Sequence, residues 1–182
     1  LIGPEEGHLA SGLVGKGRMT EPGDLLSQIR LILSRPGPLA GKKVVVTAGG
    51  THEPIDPVRM IANRSSGKQG YALAQAALDL GAEVTIVSGP VTLAAPVGAE
   101  RIDVQTAEEM LQAVLQAIPG ASALIMAAVV ADFRPESRST SKIKKENGPD
   151  QIKLARTADI LMEIAAVKDK TGWPKVMVGF AA

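Results

Sequence analysis

The sequence contains no cysteine, which excludes a disulfide framework, a thiolate metal site and a cysteine nucleophile. Histidine is nearly as scarce. His8 and His52 are the only two, and their distance along the chain argues against a histidine-based triad or a zinc centre. No apolar run approaches the ~20 residues that a membrane-spanning helix needs, and the N-terminus carries no signal-peptide pattern. An excess of one charge is missing too: 20 Lys and Arg stand against 19 Asp and Glu, which argues against a dedicated nucleic-acid surface. The 182 residues suit one α/β domain with an N-terminal extension, and a cytoplasmic location is the natural default.

What the chain does have is concentrated between Val44 and Gly70. Val44-Val45-Val46-Thr47 is a short β-branched run with the pattern of a buried parallel strand. It empties into a polar loop containing Gly49, Gly50, Pro54 and Pro57, and helix resumes only near Ser66. A loop that long in a compact domain is usually functional. Ser66-Gly67-Lys68-Gln69 fits a capping box, with the Ser66 hydroxyl accepting from the Gln69 amide and the Gln69 side chain reaching back. Tyr71 to Leu80 then favours helix, and Gly81 is its expected left-handed stop. The helix N-terminus, with free amides and the positive dipole end, faces the carboxyl end of the first strand. Ser65, Ser66, Gly67 and Lys68 therefore form a candidate phosphate cradle.

Neither familiar phosphate motif is present. A Walker loop needs glycine five positions before Gly67 and Ser or Thr after Lys68, where this chain has Ala62 and Gln69. The dinucleotide fingerprint fails because Gly49-Gly50 is followed by Thr51-His52-Glu53, and the next strand ends in Ser88-Gly89 rather than an acid.

Along the rest of the chain, Leu1 to Met19 is glycine-rich without apolar periodicity and reads as a flexible tail. Leu25, Leu26, Ile29, Ile32 and Leu33 repeat at helical spacing, and Ser34-Arg35-Pro36-Gly37-Pro38 breaks that helix. Glu83–Val87 and Arg101–Val104 are strands. Thr106 and Glu109 form a capping box for a helix burying Met110, Leu111, Val114, Leu115 and Ile118, and Ala123–Ala127 is the next buried strand. This alternation predicts an α/β fold, a Rossmann-like three-layer sandwich with a mostly parallel sheet, whose ligands bind outside the carboxyl ends of the strands. Met126 to Pro135 leaves its strand at the same edge as Gly49-Gly50, and its small residues let a flat base approach the backbone. Glu136 to Asp150 has the composition of a mobile polar loop. Gln151 to Leu154 reads as an edge strand, Thr157 as the cap of a helix with Asp159 in its first turn, and Lys175 to Phe180 as a buried strand.

TAGGTHEPIDPVRMIANRSSGKQGYALA closely resembles the opening of the phosphopantothenoylcysteine synthetase family, also called phosphopantothenate-cysteine ligase. This is the second half of a bifunctional coenzyme A biosynthetic protein. VTIVSGPV, AAVVADFRP, KIKK and VGFAA match in order, so the resemblance runs from about Gly41 to Ala182. It implies a division into residues 1–20, the last segment of a flavin-dependent decarboxylase half; residues 21–40, a helix and linker; and residues 41–182, a synthetase domain truncated at its C-terminus. Ser11 stands where the decarboxylase loop carries an acidic cysteine. FMN belongs to the decarboxylase body, which is absent from this chain.

The resemblance further implies a two-step reaction. Phosphopantothenate attacks the α-phosphorus of CTP to give an acyl-cytidylate and pyrophosphate, and the cysteine amine then displaces CMP. Mg²⁺ accompanies the phosphates, with no ligand residues assigned. Asn63 corresponds to the family's functional asparagine, an amide able to donate to a developing oxyanion, with a left-handed turn position as the competing reading. Lys142 corresponds to a lysine that neutralises nucleotide phosphates, and Lys144 and Lys145 read as surface charge or partner contacts. Met126, Ala127, Ala128 and Asp132 correspond to nucleotide contacts, as do Thr157, Ala158, Asp159 and Ile160 at a helix start and Phe180 after the last strand. Thr157-Ala158 replaces the family's asparagine-proline pair. Gly49, Gly50, Ser66 and Gly67 join the nucleotide set as backbone donors; Arg59, Asn63, Ser65, Ser66 and Gly67 are the substrate-binding set, with Arg59 as a carboxylate or phosphate clamp. The family expectation is a homodimer acting on small molecules, without nucleic acid or membrane. Two alternatives stay open: an NAD(P)-dependent Rossmann reductase, and an inactive nucleotide-binding or dimerisation fragment.

Overall fold

The computed structural model describes residues 1–180; the last two residues of the VGFAA match, Ala181 and Ala182, lie outside the described residues. The elements in chain order begin with strands β1 (Glu5–His8) and β2 (Val14–Arg18), helix α1 (Pro22–Ser34), and strands β3 (Lys43–Ala48), β4 (His52–Pro54) and β5 (Met60–Ala62). Helix α2 (Lys68–Asp79), strands β6 (Glu83–Ser88) and β7 (Ala99–Asp103), helix α3 (Ala107–Ala117), and strands β8 (Ala123–Met126) and β9 (Phe133–Pro135) follow. A single 3₁₀ turn (Lys145–Asn147), strand β10 (Leu154–Arg156), helix α4 (Ile160–Thr171) and strand β11 (Val176–Gly179) complete the chain.

Five strands form one parallel sheet in the order β11-β8-β3-β6-β7. Successive residues of a strand point to opposite faces, and β3 uses both. Val44, Val46 and Ala48 pack with Tyr71, Ala74, Ala77 and Leu78 of α2, while Val45 packs with Met110 and Val114 of α3 and Ile160 and Ile164 of α4. The expected three-layer α/β sandwich is therefore present. The chain leaves β3 toward β6 and β7, then returns to place β8 and β11 on the other side. That reversal is a topological switch point, where open parallel sheets leave a crevice at the strand carboxyl ends.

Several elements depart from the sequence reading. Residues 1–19 are not a structureless tail: β1 and β2 pair antiparallel, with Ser11 in the turn between them. In α1 the apolar stripe Leu26, Ile29, Ile32 and Leu33 faces solvent. The helix contacts the body instead through Leu31 and an Arg30–Asp79 ion pair to α2. The loop after β3 contains the β4–β5 hairpin, tied to α3 by the buried Glu53 carboxylate, which accepts from the Ala107 amide at 2.8 Å. The Ser66–Gln69 capping box does not form, because Gly67 occupies the N-cap with φ of 71° and no side chain caps α2. The Thr106–Glu109 box does form. The strand predicted over Gln151–Leu154 lies at Leu154–Arg156 and pairs with β9 rather than the main sheet. Last, β11 is an exposed edge: Val176 and Val178 are 53 % and 41 % exposed, so its apolar run is not a buried strand.

Candidate functional site

Two loops leave the switch point side by side, one after β3 and one after β8, and backbone bonds sew them together. Val129 donates to the Gly49 carbonyl at 2.8 Å, and Thr51 donates to the Val129 carbonyl at 3.3 Å. Two buried threonines add side-chain acceptors: Thr47 Oγ1 takes the Ala128 amide at 3.1 Å, and Thr51 Oγ1 takes the Ala131 amide at 2.9 Å. These four bonds satisfy backbone amides that the sheet edge holds away from water.

Against the β8 loop lies the start of α4, and between them opens a cleft of about 590 Å³. Its lining includes Met126, Ala128, Asp132, Thr157, Ala158, Asp159, Ile160 and Phe180. Of the candidate nucleotide residues on these segments, only Ala127 is outside that lining. Thr157 docks the helix onto the loop, its hydroxyl donating to the Ala131 carbonyl at 2.6 Å and its amide to the Asp132 carbonyl at 3.0 Å. The N-cap is therefore Asp159, not Thr157, and its Oδ1 accepts from the Met162 amide at 3.1 Å. This matters electrostatically. A helix N-terminus attracts anions, but Asp159 already places a carboxylate there. With Asp132 exposed nearby and Phe133, Leu161 and Phe180 as exposed apolar surface, the cleft suits a flat ring and hydroxyl groups better than a phosphate chain. Arg156 is the cation in its lining, and the sequence reading had not singled it out.

Asn63 connects the first loop to this cleft: its Nδ2 donates to the carbonyl of Val130, a lining residue, at 3.2 Å. Among the described residues no non-glycine has positive φ, so Asn63 is not there to fill a left-handed turn. Ser65 and Ser66 turn back on their own chain, their hydroxyls accepting from the amides of Gly67 at 3.3 Å and Lys68 at 3.5 Å. A Cβ at Gly67 would sit 3.4 Å from the Gly49 amide nitrogen, so the two glycines are neighbours.

Lys142 is not in that cleft. It lines a separate cavity of about 920 Å³ with Arg59, Lys144 and Lys145. Arg59, expected as a clamp for a substrate anion, pairs with Asp56 at 2.7 Å and donates to the Ile143 carbonyl. The polar segment 136–150 is consequently anchored rather than free, with Ser139 donating to the Ile55 carbonyl at 2.9 Å and Ile143 to Asp56 at 3.2 Å. Burial pushes the Asp56 carboxyl up, but the amides of Val58, Ile143 and Arg59 and then the Arg59 charge outweigh it, lowering its pKa to about 2. Neither Asp56 nor Glu53 was found from the sequence. The local sign for Asp56 is the Asp-Pro-x-Arg spacing of a turn; for Glu53 there is none.

Residues 39–182 match the family model DFP, described as the DNA/pantothenate metabolism flavoprotein C-terminal domain. Over 184 residues the chain is 48% identical to the coenzyme A biosynthesis bifunctional protein CoaBC of Vibrio parahaemolyticus, covering 100% of this chain and 45% of that protein. Identity to CoaBC of Bacillus subtilis is 47% over 185 residues, again with 100% and 45% covered. The chain thus spans about half the length of these relatives. The crystal structure of the C-terminal domain of a CoaBC protein superposes with a TM-score of 0.67 at 43% identity, over 79% of this chain and 65% of that one. The chain belongs to the family of the DNA/pantothenate metabolism flavoprotein C-terminal domain.

Proposed function

We propose that this chain carries the phosphopantothenate-cysteine ligase step of coenzyme A biosynthesis, driven by CTP. The observation that supports this reading is the cleft at the carboxyl edge of β8. Its lining brings together eight of the residues expected from the family resemblance to meet a cytosine nucleotide, while Gly49, Gly50, Ser66, Gly67, Ala127 and Lys142 lie outside it. The names of the CoaBC relatives support the pathway. In this reading Met126, Ala128 and Phe180 bound the base and Asp132 faces the ribose hydroxyls. The phosphates point out past Arg156 toward Asn63 and the Ser65-Ser66-Gly67 backbone.

The first step joins the carboxylate of phosphopantothenate to the α-phosphorus and releases pyrophosphate. In the second, the cysteine amine attacks the acyl carbon, the acyl–oxygen bond breaks and CMP leaves. Asn63 donates to the oxyanion that forms at that carbon, and Lys142 offsets negative charge on the phosphates. Among the described residues no group of three or more His, Cys, Asp or Glu is arranged to hold a metal. In this reading Mg²⁺ would arrive with the nucleotide, with no protein ligand assigned, and would neutralise phosphate charge.

Residues 1–20 are read as the end of a decarboxylase half, 21–40 as helix and linker, and 41–182 as the ligase domain; no residue here is assigned to FMN. A homodimer is part of the proposal, since Lys142 and the nucleotide cleft are lined by separate residues within one chain and a second copy supplies a flap. No helix among the described residues is long and apolar enough to cross a membrane. A cytoplasmic site of action is proposed with the pathway.

The test is a calorimetric titration, with Mg²⁺, against CTP, ATP and NADPH in parallel. It is followed by pyrophosphate release dependent on phosphopantothenate and CMP release dependent on cysteine. Binding of CTP alone with both releases is the expected result. Selective NADPH binding reverses the reading in favour of a reductase, and silence from all three nucleotides rejects it for this chain.

A further inference from the structure

The Asp56 carboxylate takes no part in the ligation steps above, yet its side chain is fully buried. Its two oxygens face different partners. Oδ1 accepts from the amides of Val58 and Arg59 at 2.8 and 2.9 Å, closing the turn at Pro57. Oδ2 accepts from the Ile143 amide at 3.2 Å and from the Arg59 guanidinium at 2.7 Å. The same Arg59 nitrogen donates to the Ile143 carbonyl. Both backbone polar groups of Ile143 are thus held, one by each member of the Asp56–Arg59 ion pair.

Lys142 immediately precedes that anchor point and lines the neighbouring cavity. Composition alone would let segment 136–150 carry its lysines over a wide range of positions, and catalysis by an ammonium group depends on where the charge sits. A buried carboxylate with four donors gives the segment a fixed root, because charge-assisted bonds out of water are strong and leaving any of them unmade is costly.

We propose that Asp56 is a positioning residue: through Ile143 it fixes the root of the lysine flap and so sets where the Lys142 ammonium is presented to the reacting phosphates. The identity of the reaction rests on the ligase reading; the latch itself rests on the geometry. Asp56→Asn separates latch from turn. Its remaining oxygen still accepts from Val58 and Arg59, while its NH₂ group meets the Ile143 N–H and the Arg59 guanidinium donor to donor.

The experiment measures hydrogen exchange at the Ile143 amide and steady-state kinetics on the same preparations of the chain. In Asp56→Asn, exchange at Ile143 rises about tenfold or more, the factor that goes with losing one hydrogen bond to a charged group. Tryptic cleavage after Lys142 accelerates in step. Turnover number falls by more than KM for CTP rises, because the latch acts on the Lys142 ammonium and not on the cleft lining. Arg59→Gln removes the donor to the Ile143 carbonyl from the other side and raises the same exchange with the Asp56 turn intact; it carries the comparison if Asp56→Asn loses its near-ultraviolet circular dichroism. Unchanged exchange at Ile143 in both variants overturns the latch. A loss of turnover number in Asp56→Asn without faster exchange overturns the positioning role. A wild-type chain that binds CTP but does not turn over counts against the ligase reading instead, and the exchange result then decides the latch alone.

Discussion

The Asn63 side-chain amide and the Val130 carbonyl are 3.2 Å apart, a hydrogen bond from the loop after β3 to the wall of the cleft beside β8. In the proposed ligation it holds the amide where the reacting carboxylate and the nucleotide would meet. Asn63→Ala is expected to slow turnover by orders of magnitude, since one oxyanion donor is typically worth ~2.7 to 4 kcal/mol of barrier. The fold should notice little. A half-buried neutral hydrogen bond contributes ~0.5 to 1.5 kcal/mol, a shift of a few degrees in the thermal midpoint. Steady-state kinetics and a thermal melt check both parts; near-normal turnover removes Asn63 from the site.

Gly50 backs the same residue. A Cβ at Gly50 would lie 2.7 Å from the Asn63 carbonyl oxygen, a backbone atom that can yield only by moving the Asn63 peptide. Gly50→Ala should therefore act on chemistry through Asn63: displacement by about 1 Å in a positioned group can cost ~10²-fold in rate. Calorimetry should find CTP affinity reduced much less than the rate in this variant, as Gly50 does not line the cleft. Equal losses in affinity and rate would place the damage in the cleft instead.

Acid should release the Asp56 latch, and only strong acid. With a folded pKa of about 2 against an unfolded value of ~3.9, the carboxyl contributes stability that is fully present above the unfolded value. That contribution is lost as pH falls from ~3.9 through about 2. The charged group facing the carboxylate is Arg59, which stays protonated throughout; the contact from the opposite segment is the uncharged Ile143 amide. Nuclear magnetic resonance of the Ile143 amide should give a flat shift between about pH 5 and 8 and a transition centred near 2 while the chain stays folded. A midpoint at or above the unfolded value would mean that the carboxylate is not held as described.

Local chemistry made much of this fold legible. Both halves of the Thr106–Glu109 box lie within four residues, and β-branched runs such as Val44–Thr47 need only their own neighbours to declare a strand. Ser66 and Gln69 have equally suitable side chains, yet Gly67 takes a left-handed conformation between them and α2 starts after it. Residue pattern does not specify that dihedral. The exposure of β11 was hidden for a different reason, since an apolar run cannot say whether its strand is central or at the edge. The nucleotide set came from family resemblance rather than from the residues, whose types allow ordinary capping and core roles. Glu53 and Asp56 were missed because the partners that define them, the Ala107 and Ile143 amides, are distant in sequence and are backbone atoms of unremarked residues. Composition misjudged segment 136–150 by the same omission, as it counts the polar side chains and not the buried ion pair that receives them.

Phe180 separates the two readings of its own position. It follows β11, lines the cleft and is 48 % exposed, with its amide donating to the Met126 carbonyl at 3.1 Å. A buried phenylalanine truncated to alanine costs ~3 to 5 kcal/mol, but a ring this open has much less burial to lose. Base–aromatic stacking is worth ~1 to 3 kcal/mol, roughly 5- to 150-fold in affinity. Phe180→Ala should therefore weaken CTP binding within that range while its thermal midpoint stays within about 4 °C of the parent, and Phe180→Leu should recover little of the affinity because it restores area without a π face. Calorimetry and a melt on the two variants decide it. A large fall in midpoint with CTP affinity intact would return Phe180 to a packing role and take the edge strand out of the nucleotide site.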